Sequence, residues 1–211
     1  MIYFFQKLVW IPLVILFKIF LKFEVKGQEN FKLIKNKQYF IVANHLGYLD
    51  AFLVSGSIPF FRFLKVNLRY MITPKWFKRY PFVKFLGAYP VYRKQESLEK
   101  TLVKTEELIK KGKHMLIFPE GTFRKSEEGP KPRQGIAYLS KKYNLPIIPI
   151  ALRGSDGTNG DNRFDIKRFF SSKSQVKVKI GEPFYYQDVA EEGMDNFMVA
   201  EKIMQRVREM L

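Results

Sequence analysis

No cysteine occurs among the 211 residues, which excludes disulfides, thiolate nucleophiles and cysteine-ligated zinc or iron–sulfur centres. Histidine is almost as scarce. His45 and His114 are the only two, so a histidine-rich metal site is excluded and imidazole chemistry has two places in which to occur. Acidic residues number 20 against 37 basic ones, a formal net charge of +17. Such a surplus attracts polyanions of every kind, from nucleic acid to anionic lipid, phosphorylated substrates and acidic carrier proteins, without choosing among them. The chain also lacks a P-loop, a dinucleotide-binding glycine pattern and a nucleophile elbow. Gly154 to Gly160 (GSDGTNG) has the glycines of a phosphate loop but neither its lysine nor a following helix, and reads as a surface turn. Repeats, low-complexity tracts and a linker long enough to divide two domains are absent as well.

What is present is a core: 46% of residues are apolar and 16% aromatic, enough for one well-packed domain and against disorder. The segment from Met1 to Phe23 is the most apolar of all. Its longest uninterrupted apolar run, Leu8 to Phe17, lies between Lys7 and Lys18 and falls short of the ~20 residues that a membrane crossing requires. On a helix advancing ~100° per residue, Lys7, Lys18 and Lys22 project within roughly 60° of one another and leave the rest of the circumference apolar. That pattern predicts a membrane-associated helix over residues 1–23 lying in the interface. A shallow tilted insertion with snorkelling lysines and a buried core helix are the alternatives, and Pro12 predicts a kink.

Beyond this helix, strands and helices alternate. Strands are expected at Phe23 to Lys26, Tyr39 to Ala43, Tyr89 to Tyr92, Met115 to Phe118, Pro146 to Leu152 and around Val176 to Ile180. Asp50 to Leu64 reads as helical in part. Helices are expected from Ser97, as N-cap, to Lys111, then over Gly135 to Tyr143 and from about Asp195 to Leu211, the last with Phe197, Val199, Ile203, Met204, Val207 and Leu211 on one side. Trp76, Phe77, Phe82, Val83 and Phe85, mixed with Lys75, Lys78, Arg79 and Lys84, suit a membrane-facing surface. The expected fold class is α/β, a single domain over residues 24–211 with a mostly parallel sheet flanked by helices, preceded by the membrane-associated helix.

Three segments carry chemistry. In Asn44-His45-Leu46-Gly47-Tyr48-Leu49-Asp50 a histidine and an aspartate lie five residues apart at the exit of a buried strand. On one ideal helix they would be ~140° apart and unable to pair. With His45 on a strand-to-helix turn and Asp50 in the first helical turns, the carboxylate can fix the imidazole tautomer and leave the other nitrogen free to take a proton. Taken alone, the pair reads more readily as a turn histidine near an unrelated carboxylate. Gly87 to Arg93 (GAYPVYR) and Phe118 to Arg124 (FPEGTFR) follow, each at a strand end, where ligands bind open α/β sheets. Arg93 and Arg124 suit bidentate contacts to phosphate, and Gly121 admits close backbone approach.

Together with Leu145 to Leu152 (LPIIPIAL), these segments resemble, in order, the four blocks of the 1-acylglycerol-3-phosphate acyltransferase family, the PlsC-type enzymes, across roughly Glu24 to Pro183. The resemblance implies catalytic roles for His45 and Asp50, and contact with the acceptor's phosphoglycerol head for Arg93, Glu120, Gly121, Thr122 and Arg124. It implies that Pro149 serves acyl-donor binding or packing. The reaction implied is acyl transfer from acyl-CoA or acyl-carrier protein to a lysophospholipid, chiefly lysophosphatidic acid, giving phosphatidic acid. It requires no metal and no cofactor beyond that donor. Membrane lipids are the expected partners, no nucleic acid is expected, and the expected location is the cytoplasmic face of the inner or plasma membrane. Another lysolipid or glycerol-3-phosphate is the alternative acceptor. A non-enzymatic basic membrane- or nucleic-acid-binding module is the rival of a different class; it explains the charge but not the ordered blocks. Gly47, where the family usually has serine, Tyr92, where aspartate is frequent, and Phe123, which delays the arginine by one residue to Arg124, depart from the pattern.

Overall fold

The structure, a computed structural model, describes residues 2–35, 37–93, 95–123, 129–160, 163–171 and 175–211. Seven strands form one sheet: β1 (Glu24–Lys26), β2 (Phe40–Ala43), β3 (Leu68–Ile72), β4 (Ala88–Pro90), β5 (His114–Ile117), β6 (Ile147–Arg153) and β9 (Lys177–Ile180), in the order β1-β9-β6-β2-β5-β3-β4. The pairings are parallel except that of β6 with β9. A two-stranded ribbon, β7 (Asn159–Gly160) with β8 (Arg163–Phe164), stands apart.

Alternation along the central strands builds two cores. Ile41, Ala43, Leu116, Ile148 and Ile150 face α1 (Ile2–Phe20), α2 (Asp50–Ser57), α3 (Phe60–Phe63) and α7 (Ile166–Ser171). Phe40, Val42, Met115, Ile117, Ile147 and Ala151 face α5 (Leu98–Lys110), α6 (Gly135–Tyr143) and α8 (Asn196–Arg208). Burial on both faces explains why β2 reads as an unbroken apolar run. The remaining helix, α4 (Pro74–Arg79), follows β3. The α/β expectation with a mostly parallel sheet therefore stands.

Several local expectations are corrected. The strand Leu68–Ile72 was not foreseen, because its LRYMI sequence carries an arginine and only part of it is buried; its place is fixed by β5 and β4 on either side. The strand expected at Tyr89 to Tyr92 is β4 at Ala88–Pro90, and Tyr92 is exposed. In α8, Phe197 points to solvent, whereas Val199, Ile203, Met204 and Val207 form the buried face.

α1 continues through Pro12, and no described helix is long and apolar enough to cross a membrane. Its inner side packs on α2 and α7: Phe17 and Leu21 are buried, and the Gln6 amide donates to the carbonyls of Leu68 (2.6 Å) and Leu86 (2.7 Å). Lys7 does not join Lys18 in a solvent-facing stripe. Its ammonium turns inward to the carbonyls of Phe63 and Val66, just past α3, and burial lowers its pKa to about 8. Those carbonyls close a helix C-terminus, where a cation is favoured. The outward side is apolar, with Phe4, Leu8, Ile11, Ile15, Leu16 and Ile19 all exposed.

Candidate active site

The expected residues of three segments converge on the carboxyl-terminal edge of the sheet. Asn44, at the end of β2, is fully buried and is anchored on β6: its amide donates to the Leu152 carbonyl (3.0 Å) and accepts from the Leu152 N–H (2.7 Å). This fixes the point from which the chain turns to His45. The turn brings His45 Nδ1 to 2.8 Å from Asp50 Oδ2, with Asp50 at the first position of α2 and fully buried.

A buried carboxylate is costly unless its lone pairs are satisfied. Asp50 Oδ2 also accepts from the N–H groups of Leu46 (2.6 Å) and Gly47 (2.8 Å), while Oδ1 accepts from the Ser155 hydroxyl (2.6 Å). These four contacts hold the carboxylate against rotation and orient the imidazole. The His45 ring stacks on Phe118 with centroids 4.3 Å apart and meets Phe123 edge-on at 4.6 Å. Rings continue outward, from Phe123 to Tyr48 (4.7 Å), Trp76 (5.5 Å from Tyr48) and Tyr80 (5.8 Å from Trp76).

Glu120 is buried, and its Oε2 accepts the backbone N–H of His45 at 2.8 Å. It thus braces the histidine's main chain from β5. At Gly121 the backbone has φ of +65°, and an added Cβ would lie 2.5 Å from Arg133 Nε. The positive φ favours glycine there, and a larger residue would also push the Arg133 side chain aside. Arg93, an exposed residue, donates from its guanidinium to the Gly121 carbonyl at 2.9 Å. Desolvation in the crevice, then the neighbouring Arg133, lower the Arg93 pKa. Two guanidiniums thus flank one glycine at the mouth of the site. Thr122 is exposed beside them, and Arg124 lies outside the described residues. Pro149 is buried within β6 and paired with Val42, a packing position away from the strand end.

Three residues at the site had no part in the sequence argument. Arg133 stands twelve residues beyond Gly121 and is held by its N–H on the Pro119 carbonyl (2.8 Å). Ser155 and Asn159 come from the GSDGTNG segment, which is no idle surface turn. Asn159 accepts the Tyr48 N–H at 3.3 Å and donates to the Leu46 carbonyl at 2.8 Å, clamping the loop between His45 and Asp50. The one available signal was position: this segment follows β6, and β6 is the neighbour of β2 in the sheet.

The Acyltransferase family model matches residues 22–153, more than half of the chain. The chain is 30% identical over 181 residues to the 1-acyl-sn-glycerol-3-phosphate acyltransferase of Saccharomyces cerevisiae, covering 78% of this chain and 57% of that one. It is 33% identical over 134 residues to the enzyme of the same name from Pseudomonas aeruginosa, covering 62% and 49% respectively. It therefore spans about half the length of the curated relatives it matches. In fold it is similar to the crystal structure of the 1-acyl-sn-glycerophosphate acyltransferase PlsC from Thermotoga maritima, with a TM-score of 0.64 at 21% identity over 99% of this chain and 78% of that one. The matched region runs from the start of β1 to the end of β6 and contains His45, Asp50, Arg93, Glu120 and Gly121, so the chain belongs to the Acyltransferase family.

Proposed function

We propose that the protein transfers a fatty acyl group from acyl-CoA or acyl-carrier protein to the free hydroxyl of 1-acyl-glycerol-3-phosphate, giving phosphatidic acid in phospholipid biosynthesis. The observation that carries this is the 2.8 Å contact between His45 Nδ1 and an Asp50 carboxylate held by three further donors. With Nδ1–H donating to Asp50, Nε2 is the basic nitrogen and takes the acceptor's hydroxyl proton. The acceptor oxygen bonds to the thioester carbonyl carbon, the carbon–sulfur bond breaks, and the proton passes from the imidazolium to the departing thiolate. Asp50 stabilises the imidazolium between these steps. The scheme is drawn without a resident cofactor, the thioester being a substrate.

Arg93 and Arg133 are well suited to the acceptor's phosphate, since two adjacent guanidiniums with no carboxylate partner among the described residues favour a bidentate anion between them. In this scheme Arg133 supplies the charge expected of Arg124. The curated relatives' names specify the same acceptor, which supports the choice of lysophosphatidic acid. The outward stripe of α1 supports docking on a membrane, where both lipids reside; the cytoplasmic face of the inner or plasma membrane would supply the donor. Exposed Phe60 and Phe61 adjoin it through Trp10, and exposed Phe170 through Phe20, which widens the apolar surface.

The test is an acyl-transfer assay on vesicles carrying lysophosphatidic acid, with acyl-CoA and acyl-carrier protein supplied separately, following thiol release and phosphatidate. Transfer that disappears in His45→Ala supports the assignment. Inactivity of the folded protein with both donors on lysophosphatidic acid, glycerol-3-phosphate and other lysolipids overturns it.

A further inference from the structure

At the opposite edge of the sheet, where β2, β3 and β5 begin, lies an open pocket of about 470 Å³ lined by Lys37, Phe61, Arg62, Lys65, Val66 and His114. Its wall holds three permanent cations and no carboxylate. Among the described residues, the charged groups acting on His114 are positive as well: Arg62, Lys7 and Lys113. The imidazole lies against the buried Tyr39 ring, centroids 4.2 Å apart and planes tilted by 50°, and its buried Nδ1 makes no hydrogen bond among the described residues.

Like charges on a flexible surface spread apart, but two of these are held. Arg62 donates to the Lys35 carbonyl and lies over the Phe31 ring, and Lys37 donates to the Tyr185 hydroxyl at 3.0 Å. A preorganised ring of cations without a counter-charge is suited to an anion. The mouth of the pocket identifies its setting. Phe61 is 79% exposed, and its neighbour Phe60 packs on Trp10 of α1, so the pocket borders the apolar stripe of that helix.

We propose that this pocket binds the phosphate of an anionic phospholipid headgroup, with Lys37, Arg62 and Lys65 as its cations and Phe61 seated in the adjoining acyl region. A guanidinium supplies bidentate donors to phosphate oxygens, the lysines supply point charges, and an aromatic ring at the headgroup boundary buries apolar area. The site is separate from the acyl-transfer centre, being at the other end of the strands, and its occupancy is read without turnover. Its effect is orientation: one lipid gripped at this edge fixes how the domain tilts about α1 and holds the His45 edge at a constant attitude to the bilayer.

The two histidines report the two sites independently, which makes ring NMR of the intact protein the natural test. Dihexanoyl phosphatidylglycerol, an anionic lipid that is neither the proposed acceptor nor its product, should move the His114 ring signals and raise its pKa from about 4 while His45 stays unchanged. In flotation, Lys37→Gln/Lys65→Gln should bind phosphatidylglycerol vesicles at least about tenfold more weakly, and phosphatidylcholine vesicles as the parent does. Lys177→Gln/Lys179→Gln, on the exposed side of β9, removes the same charge elsewhere and should lose less. Overturning results are an unmoved His114, parental vesicle affinity in the pocket variant, or equal losses in the two variants. A His114 shift produced by inorganic phosphate and by no lipid rejects the headgroup in favour of a free phosphate.

Discussion

The Asn159 side chain occupies the space in which a side chain at Gly47 would begin: a Cβ there would lie 2.6 Å from Asn159 Oδ1. A serine at this position is therefore incompatible with this chain's clamp. Gly47→Ser should displace Asn159, loosen the turn between His45 and Asp50, and lower kcat by about tenfold to a hundredfold, the scale set by sub-ångström misplacement of a catalytic group. Gly47→Ser combined with Asn159→Gly should recover part of the loss. Steady-state acyl transfer by the two variants checks this, and an active single variant refutes the clamp.

The Asp50 carboxylate uses both oxygens as acceptors. Asp50→Asn must place its NH2 in one of these two positions, and there it faces donors or leaves the other oxygen to serve them alone, so the imidazole loses its fixed orientation and tautomer. We expect kcat to fall by ~100-fold or more, comparable with removal of the general base in His45→Ala. Ser155→Ala leaves the His45 contact in place and should cost less. Far-UV circular dichroism shows whether each variant is folded, and equal activity of Asp50→Asn and the parent would remove the assigned role.

Arg93→Ala and Arg133→Ala should each raise the KM for the phosphorylated acceptor more than that for the donor, by an amount corresponding to ~1.5–3 kcal/mol for a lost charge-assisted contact. With one phosphate spanning both, as proposed, the double variant should lose less than the sum. Strict additivity, or an effect confined to the donor, would reassign one of the arginines.

The meeting of His45 and Asp50 was legible because both lie in one seven-residue segment at the end of a wholly buried strand. Arg93 and Glu120 were legible because each lies at or just beyond a strand end, where an open sheet places its ligands. Ser155, Asn159 and Arg133 were not. The first two reach the loop across 105 and 111 residues of sequence, through a β2–β6 pairing that no local pattern announces. Arg133 resembles any loop arginine until the turn at Gly121 brings it beside Arg93. Lys7 misled for a related reason: helical periodicity gives the angle of a side chain but not the carbonyls of Phe63 and Val66 waiting on that side.

Removal of residues 1–23 would strip Phe17 and Leu21 from the core, so membrane docking is better tested on the outer side of α1. Ile11→Glu/Ile15→Glu changes two exposed residues and should leave the fold intact. It should abolish the salt-resistant part of vesicle flotation, since apolar burial survives high salt whereas charge attraction does not. Undiminished flotation at high salt would show that the stripe does not enter lipid.

Burial and nearby cations depress the His114 pKa from 6.5 to about 4 in the folded protein. Between those values the unfolded chain takes up a proton that the native state does not, so stability should decline as pH falls through this window. The contribution is fully present above it and levels off below about 4. Urea denaturation of the parent and His114→Gln across this range should show the variant losing the His114 component of the decline.

The docking of α1 has a kinetic side. Its Gln6 amide awaits the carbonyl of Leu86, eighty residues further along, and at synthesis rates of about 5–20 residues per second that partner follows after roughly 4–16 seconds. Phe169, which receives the ring of Phe17, comes later still. For that interval the inner side of the helix lacks the partners that the folded chain gives it, so α1 takes its final place only after β3, the turn at Leu86 and α7 have been made.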